Sequence, residues 1–498
     1  MEFSIDLLGQ STIQILPTLF LLLVGLILMM LDAFNIRGQV LPLLTGLGFI
    51  TSSILAMAFA KTGTQVAFFG MLETGGIAPM VHVFLCISGL FTLFFLAEYL
   101  QRYDRKIEGV YALLVFSVIG MILLANANDL IMTFIGLETM SMALYIFAAL
   151  YKTEKRSNES GIKYFLLGSF ASAFLLFGIS LLYGLSKHTN LDMIAKNAEV
   201  FAEHPVIFYA AVGLILIGFL FKVAAFPFHS WTPDVYEGTP TPLAGFMSTG
   251  GKMAAFVALG IFMQKLAFFS HADGSGGDPK VIQIVAVAAL LTMIYGNIVA
   301  ARQNNIKRML AYSSIAHSGY VLLGLCAGQA GFESILFYMF IYTLMNIGAF
   351  GMVGMAEKNY DDTQLDKWRG LGVQAPYFAA ALSVFLFSLA GIPPLAGFMA
   401  KYQVFITAIR ADLILLATIG ILTSVIGAYY YIRVIVLMFF GKQQSTELNT
   451  SFHWVPTTGI ALLVGLILIF GLFPSLLLSP IDAAFESGFQ YAMAWLGW

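Results

Sequence analysis

Pro376 to Ile409 reads PYFAAALSVFLFSLAGIPPLAGFMAKYQVFITAI, 34 residues with a single charge, Lys401. One straight helix of that length would run about 51 Å at about 1.5 Å per residue, against a bilayer hydrocarbon core of about 30 Å. Its middle, Gly391-Ile392-Pro393-Pro394-Leu395-Ala396-Gly397, puts two prolines and two glycines in seven residues. Proline removes a backbone donor and collides with the preceding turn. The run therefore reads as a membrane helix broken halfway, whose freed backbone groups must meet protein or line a wet cavity.

The rest of the chain agrees with that reading. Of 498 residues 59% are apolar, with 25 basic and 27 acidic residues. A soluble domain of this size would carry roughly 125 charged residues, so ordinary soluble enzymes are excluded. A net charge of −2 gives no footing for a nucleic-acid partner. Cys86 and Cys326 stand alone in apolar runs, without the spacing of a zinc or iron–sulfur ligand set or a disulfide framework. The first 36 residues hold no Lys or Arg, so the opening apolar run lacks a basic leader and reads as a retained helix.

Fourteen apolar runs are long enough to span: Ile13–Leu31, Val40–Ala60, Met80–Leu96, Gly109–Ala127, Leu130–Leu150, Ile162–Leu185, Val206–Phe226, Pro242–Met263, Val281–Ala301, Met309–Cys326, Phe332–Met355, Pro376–Ile409, Leu413–Phe440 and Thr458–Leu478. No long hydrophilic stretch divides them, so residues 1–498 form a single, all-α, polytopic membrane domain. With the N-terminus outside, the inner loops hold fourteen basic residues: Arg37, Arg102, Arg105, Lys106, Lys152, Lys155, Arg156, Arg302, Lys307, Arg308, Lys358, Lys367, Arg369 and Lys442. The outer loops hold six: Lys61, Lys187, Lys196, Lys265, Lys280 and Arg410. The excess places both termini on the outer side.

Five basic residues, Lys163, Lys222, Lys252, Lys401 and Arg433, and one carboxylate, Glu138, fall inside spans. A mid-bilayer charge costs about 2.5–3.5 kcal/mol on insertion scales, so such residues are functional candidates by default. Lys222, Lys252 and Lys401 lie too deep to snorkel to an end. Burial lowers a lysine's proton affinity and a nearby carboxylate restores it, so these three suit loading and release of a proton, which an arginine cannot do. The competing reading is a static buried ion pair. Glu138 shares a helical face with Ser141 and Tyr145. It reads either as a carboxylate tuning a nearby lysine or as a protonated packing group. His229 follows Pro227, five residues beyond Lys222 and a second candidate helix break, and is a relay candidate. His317 lies on a polar stripe with Ser313 and Tyr320, and relay and structural roles stay open for it. They stay open too for Lys163, near its helix end, and for the Tyr342, Thr343 and Asn346 group. Arg433 reads as an anchor to a carboxylate or headgroup, and His82 as structural. The hexapeptide Pro-Leu-Ala-Gly-Phe-Met occurs at Pro242 and again at Pro394, a weak hint of an internal repeat. Neither a dinucleotide motif nor an opposed pair of haem-ligand histidines is present, so electron transfer is expected in partner subunits.

The stretch Phe228-His229-Ser230-Trp231-Thr232-Pro233-Asp234-Val235-Tyr236-Glu237-Gly238-Thr239-Pro240-Thr241-Pro242 resembles the signature of the antiporter-like subunits of respiratory complex I. Lys307-Arg308-Met309-Leu310-Ala311-Tyr312-Ser313-Ser314-Ile315-Ala316-His317 resembles a second stretch of that family. The resemblance spans nearly the whole chain. It implies about fourteen helices with two inverted five-helix repeats, here 109–263 and 281–440, and breaks in the seventh and twelfth helices. It also implies a proton path through Glu138, Lys222, Lys252 and Lys401, with His229, Lys163 and His317 secondary. Lysine at 401 departs from the paralogue that resembles a glutamate there. Only about twenty residues follow the last span, too few for the paralogue with a long lateral helix. The third paralogue remains.

By this resemblance the chain is a non-redox, proton-translocating subunit of an NADH:quinone oxidoreductase in a bacterial inner membrane. It would hold no cofactor or metal. Flavin, iron–sulfur clusters and quinone would sit in partner subunits, and another antiporter-like subunit would be a neighbour in the membrane arm. The alternatives are a subunit of a multisubunit sodium/proton antiporter and a membrane assembly scaffold. A major-facilitator transporter is disfavoured, since the inner loops lack a Gly/Asp/Arg-rich motif.

Overall fold

The computed structural model describes residues 13–35, 38–58, 63–102, 107–197, 199–268, 278–357, 360–442 and 453–496. Arg37, Lys61, Arg105, Lys106 and Lys358 of the loop tally lie outside them. Among the described residues the protein is helical apart from a small hairpin in which Gln65–Ala67 pairs antiparallel with Leu72–Thr74. Twelve helices are long and apolar enough to cross a membrane, and Val110–Ala125 and Pro376–Ala390 are shorter apolar helices. Each of the fourteen runs read from the sequence overlaps one of these helices, and two of the runs extend into a second helix.

Short polar residues ahead of apolar runs set several helix starts. Asp129 accepts from the amides of Ile131 (2.8 Å) and Met132, and Asn305 from those of Lys307 (2.9 Å) and Arg308 (3.1 Å). Side-chain oxygens thus satisfy first-turn donors that have no partner within the helix. Two helix pairs then approach backbone to backbone. In Val110–Ala125 and Leu130–Ala148, a Cβ added at Gly120 would strike the Met140 backbone, and one at Gly136 the Leu124 backbone. In Pro279–Ala301 and Ile306–Cys326, Gly296 abuts Ala316 and Gly319 abuts Met293 in the same reciprocal way. Lipid is as apolar as leucine, so such van der Waals contact replaces the hydrophobic drive of a soluble core.

Burial divides the helices into a centre and a rim. The apolar windows of Thr241–Lys265 and Gly328–Ala356 are wholly enclosed by protein, whereas those of Leu16–Ala33 and Trp454–Leu472 are 28% buried. Leu23, Met30, Leu43 and Ile54 on the outer helices are exposed. Lys252 and Asn346 are carried by the two helices that lipid does not reach.

Both interruptions occur. Helix Pro205–Lys222 ends four residues earlier than the apolar run suggests, because the chain must leave the helix before Pro227. Its last carbonyls are met locally: Ala225 N–H donates to Leu220 O (2.8 Å) and Trp231 Nε1–H to Phe221 O (3.2 Å). A seven-residue helix, Thr232–Gly238, follows before Thr241–Lys265. In the second interruption Pro376–Ala390 stops at Gly391, whose φ is +86°, and Ala396–Arg410 resumes. The last run divides too, Trp454–Leu472 from Ser475–Leu496, beside Pro474.

Candidate functional site

Lys222 is the final residue of its half-helix. Its buried Nζ has no hydrogen-bond partner and faces the rings of Tyr145 at 5.1 Å, Tyr164 at 5.4 Å and Phe221 at 5.9 Å. Trp231, at the end of the interruption, stacks on Tyr164 with centroids 4.5 Å apart and fixes that wall of the cage. Ring faces attract an ammonium, and the C-terminal end of a helix carries partial negative charge. The rings and the helix end thus surround Lys222 with no carboxylate in contact.

Glu138 is half-buried, within electrostatic reach of Lys222 but not in an ion pair with it. It accepts instead from the Ser172 hydroxyl on the neighbouring helix Lys155–Ser186. Ser141, on the face expected to serve Glu138, turns back to Leu137 O. Tyr145 occupies the same neighbourhood, and its unpartnered hydroxyl lies where a Cβ on Gly168 would sit.

Lys252 has a different environment. All of its donors are used, on Ser314 O (2.9 Å), Ser314 Oγ (2.5 Å) and Ser318 Oγ (2.9 Å). Lys401 donates to Ala390 O (3.0 Å), the last carbonyl of the preceding half-helix, and to Ser424 Oγ (2.9 Å), and lies 5.5 Å from the Tyr320 ring centroid. It is therefore a second ammonium held at the negative end of an interrupted helix.

His317 lies within electrostatic reach of both Lys252 and Lys401. Its Nδ1 is 2.7 Å from Tyr338 Oη and its Nε2 3.2 Å from Tyr431 Oη, which in turn meets Ser313. The Ile306–Cys326 helix thus presents serines to Lys252, a histidine to two tyrosines, and Tyr320 to Lys401. Beside them Asn297 donates to Tyr320 Oη (2.8 Å). Asn346 donates to Ser248 Oγ (2.6 Å), Tyr342 Oη is unpartnered, and Thr343 closes on its own helix at Met339 O.

Other sequence candidates fall elsewhere. His229 packs between Phe226 and Tyr295, with its Nδ1 unpartnered and no hydrogen bond to either neighbouring lysine. Lys163 is the ninth residue of its helix rather than the second, because the helix runs on past the apolar run to Lys155. It pairs with Glu159 (2.5 Å) and Asp234 (2.8 Å), while Arg308 meets Asp234 (2.9 Å) and Glu237. Asp234 therefore ties the short helix of the first interruption to two flanking helices. Arg433 makes no ion pair with a carboxylate among the described residues. It donates to Ala301 O, Gln303 O and Asn304 Oδ1, the uncapped end of a helix and the turn that follows it. His82 contacts Ser52 Oγ at 2.8 Å.

Sequence reading passed over a buried pair, Lys307 and Glu357. Lys307, counted in a loop, and Glu357 are both buried, with Nζ and Oε2 3.9 Å apart. Asn305, two residues before Lys307, was the signal: a cap there puts the lysine inside the helix.

The family model described as NADH:quinone oxidoreductase/Mrp antiporter, TM, matches residues 127–427, which include Glu138, Lys222, Lys252 and Lys401. The chain is 39% identical over 474 residues to NADH-quinone oxidoreductase subunit N 1 of Chloroherpeton thalassium, covering 94% of this chain and 97% of that relative. The chain belongs to the subunit N family of NADH-quinone oxidoreductase. Respiratory complex I from Thermus thermophilus contains a chain that superposes on this subunit N fold with a TM-score of 0.78 at 31% identity, covering 93% of this chain and 98% of that one. A chain of the Mrp complex from Dietzia sp. shares the fold at a TM-score of 0.83, 19% identity and 95% and 96% coverage.

Proposed function

We propose that this subunit N family member is a proton-translocating, non-redox membrane subunit of an NADH:quinone oxidoreductase. Quinone reduction in partner subunits changes the charge near Glu138. That shift draws Lys222 out of its aromatic cage or returns it there, and its proton passes to Lys252 and, by the His317 and Tyr431 hydroxyl network, to Lys401. His229 and Lys163 stand beside this line, Lys163 holding the interruption closed through Asp234. Flavin, iron–sulfur clusters and quinone belong to partner subunits. The chain sits in a bacterial inner membrane with both termini outside, next to another antiporter-like subunit.

One observation carries the reading: three buried ammonium groups and one half-buried carboxylate lie inside the spans of a membrane domain, and among the described residues none is neutralised by a contacting opposite charge. Such groups are costly unless their charge is used. The repeats 109–263 and 281–440 fit this scheme. Each contains a reciprocal glycine-locked helix pair whose second member is capped by a side chain, Asp129 or Asn305, and an interrupted helix with a lysine side chain at the break.

Mild solubilisation of the native membrane, capture of this chain and mass spectrometry of its partners test the assignment. Flavin and iron–sulfur subunits with NADH:quinone activity are expected. Small antiporter subunits without redox proteins would replace the reading with sodium/proton exchange.

A further inference from the structure

Two wholly buried helices face each other along a polar seam that the proposed path leaves unused. On Thr241–Lys265 the residues Thr241, Gly245, Ser248 and Lys252 follow the i, i+4, i+7, i+11 spacing of a single face. On Gly328–Ala356 the residues Tyr342, Asn346 and Phe350 share a face that Glu357 continues just past its end. The faces meet at three levels, while Lys252 itself turns to Ser314 and Ser318 on the Ile306–Cys326 helix. Thr241 Oγ1–H donates to Glu357 Oε1, a Cβ on Gly245 would lie 2.9 Å from that of Phe350, and Asn346 Nδ2–H donates to Ser248 Oγ at 2.6 Å. Two buried atoms of this seam have no partner, Asn346 Oδ1 and Tyr342 Oη.

Glu357 closes the seam at the edge where the inner loops gather. Its Oε1 accepts from Thr241 and from Tyr99 Oη (3.1 Å), both neutral hydroxyls. Its Oε2 is 3.9 Å from Lys307 Nζ, but that ammonium makes its shorter bond to Thr239 O at 3.1 Å. Asp362 also acts on Glu357, and Glu237, Glu154 and Arg156 surround Lys307. One carboxylate oxygen is therefore held in place and the other is only loosely paired, in sight of the charged inner rim.

We infer that Glu357 is the group through which Lys252 is reloaded with protons from the inner side of the membrane. This rests on the translocation reading given above. The carboxylate takes a proton at Oε2 and passes it along the Ser248 and Asn346 level to the neutral Lys252 amine. An ammonium forms and Glu357 returns to the carboxylate, with no other reactant consumed. Thr241 to Lys252 spans eleven residues, about 16 Å of helix, so the transfer needs intermediate groups. Ser248 and Asn346 supply them on the Lys252 side of Phe350.

The test uses the assembled complex in inside-out vesicles, reading protons moved per NADH oxidised. Glu357→Gln keeps both hydroxyl contacts and removes the titrating group. It is expected to lower the proton yield by the same fraction as Lys252→Ala. The two together should lower it no further, as for residues on one path, and Glu357→Asp should restore most of it. An unchanged yield in Glu357→Gln while Lys252→Ala lowers it overturns the inlet alone. An unchanged yield in Lys252→Ala overturns the translocation reading itself. Should Glu357→Gln fail to assemble, the native complex serves through carbodiimide labelling of Glu357, read by mass spectrometry. Labelling that falls as only the inner-side pH rises supports the inlet, and labelling that ignores that pH overturns it.

Discussion

Lys222→Arg in the assembled complex should abolish proton movement through this subunit while leaving NADH oxidation by the redox subunits measurable. The comparison with Lys222→Met gives the experiment its force. Arginine keeps the charge and the contact with the Tyr145, Tyr164 and Phe221 rings, yet it does not release a proton at any physiological pH. Methionine keeps the volume and loses both charge and proton. If Lys222 only held helices together, arginine would be tolerated and methionine would be nearly neutral. If Lys222 carries the proton, both variants lose the same share of the proton yield. Normal pumping by Lys222→Arg would end the proposal for this residue.

Gly397→Ala should prevent accumulation of the assembled complex altogether. Its new methyl group would land on Ser388 O and lie 2.7 Å from Met345 Sδ, where the two halves of the second interrupted helix close against each other. Gly397 N–H also donates to Ser388 Oγ at 3.1 Å, so any shift that relieves the clash strains this bond. Overpacking of buried backbone with loss of a buried hydrogen bond belongs to the mutations that cost ~4 kcal/mol or more. Native gel electrophoresis of solubilised membranes gives the readout. Gly465→Ala is the control, because nothing lies within 4 Å of its added Cβ, and it should assemble normally. Normal levels of Gly397→Ala complex would show that the interruption can open without penalty.

The spans, the two interruptions and the buried lysines were legible because each is written along a single stretch of chain. Apolar runs, Pro393-Pro394 and an isolated Lys401 need no knowledge of neighbours. What the chain could not reveal was partnership across helices. Ser141 was the natural companion for Glu138 by spacing, and the hydroxyl came instead from Ser172, 34 residues away. Arg433 seemed to require an anion, but the open carbonyls at the end of Pro279–Ala301 serve as well, since helix ends leave acceptors without partners. Lys307-Arg308 looked like an inner loop by charge alone. The helix beginning at Ile306 instead buries the first of the two and leaves the second partly exposed.

The charge cluster at Asp234 carries a consequence of another kind. Its Lys163 contact is open to the medium, with side chains 40% and 36% exposed, and the Arg308 side chain is 28% exposed. Exposed pairs of this sort contribute up to about 1 kcal/mol and are weakened by dissolved salt, whose screening distance at about 0.1 M is about 10 Å. Lys222, Lys252 and Lys401 are shut away from mobile ions, yet the tether on the short helix beside the first of them is not. Ionic strength is therefore an external dial on the first interruption and leaves the second, which is tied by buried backbone and serine contacts, out of reach. Turnover of the complex should soften with added salt, and Lys163→Gln should flatten that response.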